Sequence, residues 1–241
     1  MRSQELNTSL KFVWLTVFAV AMGFLEAIVV VYLRQIYYPG GFDFPLKMMS
    51  PEIITAEWIR EFATLVMLAA VGIIAGKNNL QKLLYFLYSF AVWDIFYYVA
   101  LKLLLGWPAS LLTWDILFLI PVTWLGPVLA PVICSLTMIL MAAVLIPLQE
   151  KRASFRTLIY DWLLIFLGAF IILYTFIRDY SALLISYGFI GGKGKPADEK
   201  GLMEAVARYI PTEYNWILFI AGEVLILTAV TLIIKRNIKK T

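Results

Sequence analysis

The chain has 241 residues, 62% of them hydrophobic and only 15% charged, with a net charge of +4 and a mean hydropathy of +0.86. Soluble domains carry roughly 45–50% apolar and about 25% charged residues, so this chain has more apolar surface than one water-soluble core of its length can hide. There is no histidine and a single cysteine, Cys134. That excludes histidine-held haem, histidine zinc sites, Ser-His triads, histidine proton shuttles, an intrachain disulfide, and an iron–sulfur cluster held by this chain alone.

The composition predicts an all-α polytopic membrane bundle, organised as a single membrane domain over residues 1–241 with the lipid bilayer as its main partner. In such a chain a modest positive charge reads as basic loops rather than as nucleic-acid contact. No metal, cofactor or nucleic-acid partner is expected.

Residues 1–11 are short and polar. Arg2, the apolar stretch after it and Ala19-Val20-Ala21 imitate a signal peptide, but the apolar run continues through Val31. Signal cores run to about 7–15 residues, so a retained first span is expected, from about Phe12 to Leu33, ending at Arg34. Glu26 lies within it, and Gly23, one turn earlier on the same face, would let a neighbouring helix come close. Tyr37 and Tyr38 sit at interface depth, before an irregular loop with Pro39, Gly40, Gly41 and Pro45.

A second span starts at Ser50-Pro51, a favourable cap and first-turn pair, and runs to about Ala75. Glu57, Arg60 and Glu61 share one face of its first turns by i,i+3 and i,i+4 spacing. A basic turn with Lys77 and Lys82 leads to a third span, about Leu83 to Leu105. Asp94 lies near its centre, with Tyr97 and Tyr98 at i+3 and i+4 where a phenol could bond the carboxyl, and Lys102 lies two turns further on. Trp93-Asp94-Ile95 is echoed 21 residues later by Trp114-Asp115-Ile116. The echo is too short to establish duplication. Asp115 is expected near the outer interface.

The apolar run from Leu111 to Leu148 is too long for one helix of about 20 residues, and Pro121, Pro127 and Pro131 interrupt its first part. Counting cations decides between six and seven spans. With six, the inner segments hold Arg2, Lys11, Lys77, Lys82, Lys151, Arg152, Arg156, Lys235, Arg236, Lys239 and Lys240, eleven against five outside (Lys47, Lys193, Lys195, Lys200, Arg208). Seven spans give eight against eight. The positive-inside rule favours six spans, both termini cytoplasmic, and a proline-broken re-entrant half-helix or interfacial segment over about 111–125 before a fourth span at about 127–148. Spans at about 157–177 and 214–234 follow, with Asp161 near the start of the first, Arg178-Asp179 at its outer end, and Glu223 at mid-depth in the second. Between them lie a flexible Gly-rich stretch at 191–196 and an amphipathic helix over about 197–209, with Leu202, Ala205, Val206 and Tyr209 on one side.

Charged groups in a membrane are costly and are functional candidates by default. The candidate ligand-binding set is Glu26, Asp94 and Glu223 in the spans, Tyr97 and Tyr98 beside them, and Arg34, Arg60, Lys102, Glu57 and Glu61 nearer the outer ends. The bland alternatives are snorkelling cations and packing ion pairs. No Gly-x-Ser-x-Gly, phosphate loop or His-Glu-x-x-His occurs. Three functions fit this pattern. The first is a transport-type protein with an outward polar cavity for a proton, cation or small solute. The second is a cofactor-free accessory subunit with membrane-protein partners. The third is an enzyme acting on a lipid-linked substrate at the outer leaflet, with Arg34 and Arg60 holding phosphate.

Overall fold

The computed structural model describes residues 7–152, 154–190 and 198–238. The Gly-rich stretch at 191–196 lies outside the described residues. Six helices are long and apolar enough to cross a bilayer: α1 (Thr8–Tyr37), α2 (Pro51–Ala75), α3 (Asn79–Leu105), α4 (Leu129–Lys151), α5 (Ile159–Ser186) and α7 (Trp216–Ile238). The short α6 (Glu199–Val206) and a two-stranded antiparallel hairpin, β1 (Trp114–Phe118) and β2 (Trp124–Pro127), complete the described elements.

The spanning helices start where the local chemistry favours it. The Asn7 side chain accepts from the Ser9 N–H at 2.7 Å and caps α1. Pro51 opens α2, where its missing N–H is harmless. The Asn78 side chain accepts from the Gln81 N–H at 3.1 Å and caps α3, which ends at Gly106 with φ +66°. Large apolar side chains such as Ile74, Phe166 and Ile217 point outward, as lipid-facing surfaces require.

α3 is the hub. In its most apolar stretch 44% of residues are buried inside the protein, against 22–33% in the other spans. It packs against α1, α2 and α4, while α5 and α7 pair with each other and α7 touches α4. Glycine sets three of these contacts. A Cβ at Gly23 would lie 2.8 Å from the Trp93 carbonyl oxygen of α3, and one at Gly72 would lie 2.8 Å from the Lys82 carbonyl oxygen. Gly168 and Gly222 face each other across α5 and α7, each leaving a Cβ no more than 2.8 Å from the other's carbonyl oxygen. Small residues give membrane helices the close approach that hydrophobic burial cannot drive in lipid.

The helix ends separate into two groups. At the basic end, Lys11 Nζ donates to the Ala75 carbonyl at 2.7 Å, Thr8 bonds Glu150, and Arg236 holds Asp161 at 2.5 and 3.0 Å. The other end carries the hairpin, α6 and most of the remaining charged groups.

Two expectations need correction. The 111–125 segment is no half-helix. Trp114 to Phe118 alternates aromatic or β-branched residues with others, and Pro121 removes a donor and turns the chain. Asp115 therefore pairs with Gly126 and Ile116 with Leu125 in a hairpin bulged between Ile116 and Phe118. Pro131 falls in the first turn of α4, where no intrahelical N–H is needed. The second correction is that α5 does not stop at 177 but continues to Ser186. Nothing breaks it before Gly188, whose φ is +81°, so Arg178 and Asp179 lie within the helix and pair at 2.9 Å.

The hairpin packs through β2 against α5 and α4. Trp124 stacks on Phe176 of α5 at 6.1 Å, and Phe176 stacks in turn on Tyr214 at 6.0 Å. α6, capped by Asp198 on the Gly201 N–H at 2.9 Å, lays Leu202, Val206 and the following Tyr209 over a small core with Leu46 and Leu125.

Candidate functional site

A cavity of about 120 Å³ opens at the hairpin end, between α1, α2, α3 and β1. α1 contributes Glu26 and Arg34; α2 contributes Glu57, Arg60 and Glu61; α3 contributes Asp94, Tyr97 and Tyr98; the hairpin adds Asp115. Helical spacing explains the α2 face. Glu57, Glu61, Thr64, Leu68 and Gly72 form its one buried stripe, and the stripe becomes polar only where it meets the cavity.

Arg60 is the junction between α1 and α2. Its guanidinium donates to Glu57 Oε2 from Nε at 2.9 Å and from Nη2 at 2.5 Å, and it forms an ion pair with Glu26. The Thr64 hydroxyl donates to the other oxygen of Glu26 at 3.3 Å. One cation thus serves two carboxylates. Glu61 has a different partner: the Leu119 N–H is 3.0 Å from each of its oxygens. It ties α2 to the turn of the hairpin and satisfies a backbone donor that the bulged ladder leaves open.

Arg34 donates to Asp115 Oδ1 at 3.1 Å. Its guanidinium also lies 3.7 Å from the centre of the Trp107 ring and 4.4 Å from that of Phe42, a geometry in which ring quadrupoles stabilise a desolvated cation. Burial pushes the Asp115 carboxyl up to about 6, against the pull of Arg34, the Ile116 N–H and the Tyr98 hydroxyl. It remains ionised at pH 7 and matches the Arg34 charge.

Asp94 reaches across to α4, where the Ser135 hydroxyl donates to Oδ2 at 2.8 Å. The expected phenol bond from its own helix is replaced by this interhelical one, and Tyr98 instead lies beside Asp115.

Two residues of the candidate set lie outside the cavity. Glu223 sits on the far side of α4, where Oε2 accepts from the Thr137 hydroxyl at 2.7 Å and Oε1 is buried without a hydrogen-bond partner. Lys102 caps the end of α3, donating to the Gly106 and Pro108 carbonyls at 3.0 and 2.8 Å. Three participants were not in that set. Asp115 was signalled by the Trp-Asp-Ile echo but assigned a separate place. Thr64 lies one turn past Arg60 on the same face. Ser135 carried no signal beyond being a hydroxyl in an apolar run.

Among the described residues, no three acidic or thiol side chains converge closely enough to hold a metal ion. The lining holds five carboxylates (Glu26, Glu57, Glu61, Asp94 and Asp115) against two guanidiniums (Arg34 and Arg60). The fold and this site define a multi-pass α-helical integral membrane protein with a buried, acid-rich cavity at one end of its bundle. Compared with protein-family models, with characterised proteins and with solved structures, the chain gives no match.

Proposed function

We propose that this is a transport-type membrane protein whose cavity takes up a proton or a small monovalent cation. The observation that carries the reading is the excess of carboxylates over cations in a space withdrawn from water. Arg60 is shared between Glu26 and Glu57 with Glu61 also in its field, Arg34 is matched by Asp115, and among the described residues Asp94 forms no ion pair. Uncompensated carboxylates in such surroundings are stable only with bound protons or cations. The size agrees, because a cavity of about 120 Å³ admits several waters or a small ion with part of its hydration shell. The enzyme reading is disfavoured because both arginines it needs for phosphate are already held by carboxylates. By the positive-inside rule the basic end faces the cytoplasm and the cavity opens outward.

The test is flux in reconstituted vesicles carrying an internal pH dye and an imposed potential, repeated with sodium or potassium as the driving ion. The wild-type protein is expected to conduct one of these ions, and Asp94→Asn to abolish that flux while the protein remains folded. Equal flux in the variant, or none in the wild type with any of the three, sinks the reading; stoichiometric co-purification of other subunits would then favour the accessory role. A pH dependence follows with a definite sign. As pH falls through about 6, Asp115 gains a proton and the cavity loses a negative charge. Occupancy by a metal cation is therefore expected to be lower at pH 5 than at pH 7, measured as competition with carbodiimide labelling of the cavity carboxyls.

A further inference from the structure

On α3 the acid-rich cavity reaches inward as far as Trp93, and polar groups continue from there toward the basic end. Tyr85, Ser89 and Trp93 follow one another at four-residue intervals, so they climb one side of α3 in steps of about 6 Å. Tyr85 and Ser89 are fully buried and Trp93 is 5% exposed. The Tyr85 hydroxyl, the Ser89 hydroxyl and the Trp93 indole N–H each have no hydrogen-bond partner among the described residues. From this we infer that a single file of waters runs along α3 past these three groups and joins the cavity to the inner end of the bundle, a route that passes protons and excludes metal ions. The inference rests on the transport reading for its use, and it names the proton as the transported ion.

Ser89 carries most of the argument. Hydroxyls within helices commonly return to a carbonyl one turn back, and Thr16, Thr55, Thr228 and Thr231 do so here at 2.6–2.8 Å. Ser89 does not. An unpaired buried polar group is costly, and a water with about two to four partners is the common remedy. A water between two such groups spans about 5.6 Å, two hydrogen bonds of about 2.8 Å each, which matches the step from one residue to the next. Both ends of the file meet carboxylates. Trp93 lines the cavity together with Asp94. Tyr85 lies beside Thr8 and Glu150 at the inner end, and Thr8 donates to Glu150. The indole N–H only donates, so Trp93 anchors a water; the Tyr85 and Ser89 hydroxyls both accept and donate and can hand a proton on. For each proton that enters from the cavity, one leaves toward Glu150. Leu15, Ala142 and Leu145 share the core around Tyr85 and offer a dehydrated metal ion no ligand.

Water along α3 can be read without any flux. Millisecond X-ray irradiation of the full chain in lipid nanodiscs ionises bound waters, and the hydroxyl radicals oxidise the side chains beside them, which mass spectrometry reports. Each rate is normalised to that of the denatured chain. Tyr85 is expected to label several-fold faster than Phe219, which is as deeply buried at 1% exposed. Ser89→Val should lose that labelling, and Ser89→Thr, of the same shape but with a hydroxyl, should retain it. The pair separates loss of the hydroxyl from a change in packing. In vesicles Ser89→Val should lose proton flux and Ser89→Thr should keep it. Labelling of Tyr85 no faster than that of Phe219, or unchanged in Ser89→Val, overturns the inference whatever the wild-type flux. Flux of sodium or potassium that survives in Ser89→Val overturns the proton assignment. The expected labelling with no flux in the wild type supports the water file and removes the transport reading alone.

Discussion

Arg60→Met is expected to destabilise the protein by about 3–5 kcal/mol, the range for removing one partner of a buried ion pair. Methionine fills much of the volume but leaves Glu26 and Glu57 facing each other across α1 and α2 without the cation that now joins them. The Arg60 side chain is 21% exposed, so water reaching the cavity places the loss toward the lower end of that range. Unfolding in mild detergent, followed by the fluorescence of the eight tryptophans, measures it. The double change Arg60→Met with Glu26→Gln should recover part of the loss, because it removes one of the stranded charges, and adding Glu57→Gln should recover more. That pattern separates a charge effect from a packing effect. A loss under about 1 kcal/mol, or no recovery on neutralising the acids, would mean that the triad is a solvated surface network. The same substitution bears on the proposed function, since deleting a cation from an already acidic cavity should tighten binding of an incoming one.

The six spans were legible because length and hydropathy together leave few other ways to satisfy the backbone in lipid. Most of the cavity was legible for a related reason. Glu26, Asp94 and the Glu57–Arg60–Glu61 group are conspicuous charges in apolar helices, and helical spacing assigns each a face. Which faces meet is set by tertiary packing, which spacing along the chain does not report. Asp94 and Glu223 look equivalent along the chain. However, Ser135 and Thr137 on α4 are two residues apart, about 200° around a helix, and they receive the two acids on opposite sides. Asp115 was expected near the outer interface and left out of the candidate set, because its partner is not visible along the chain. The hairpin folds it back to Arg34, 81 residues away in sequence. The hairpin itself was hidden because a short apolar run broken by prolines fits a helical fragment as well as strands. The backbone donors that decide between them are satisfied by a distant side chain, that of Glu61.

Gly23→Leu is the second substitution with a large expected effect, and its consequences run from packing to function. Ala19, Gly23 and Ala27 lie four residues apart on α1 and form a small-residue seam against α3, with both alanines fully buried. A Cβ at Gly23 would lie 2.8 Å from the Trp93 carbonyl oxygen, 3.0 Å from the Tyr97 nitrogen and 3.2 Å from the Phe96 carbonyl carbon. All three are backbone atoms, so no rotamer change relieves the clash and the helices must part. Overpacking costs typically about 1–3 kcal/mol, occasionally more, and the upper end is expected here. Gly23→Ala should already show a loss, since the clash begins at Cβ. Gly40→Leu is the control: a Cβ there meets nothing within 4 Å, and its effect should stay within about 0.5 kcal/mol. Glu26 follows Gly23 by three residues on α1, and Asp94 adjoins Trp93 on α3, so the seam that Gly23 closes also sets the spacing of the two carboxylates. A Gly23→Ala protein that still folds should therefore lose ion flux out of proportion to its loss of stability. Equal stability of Gly23→Leu and Gly40→Leu would show that α1 and α3 are not held in close contact at Gly23. A stable Gly23→Ala protein with full flux would show that the spacing of Glu26 and Asp94 does not matter to transport.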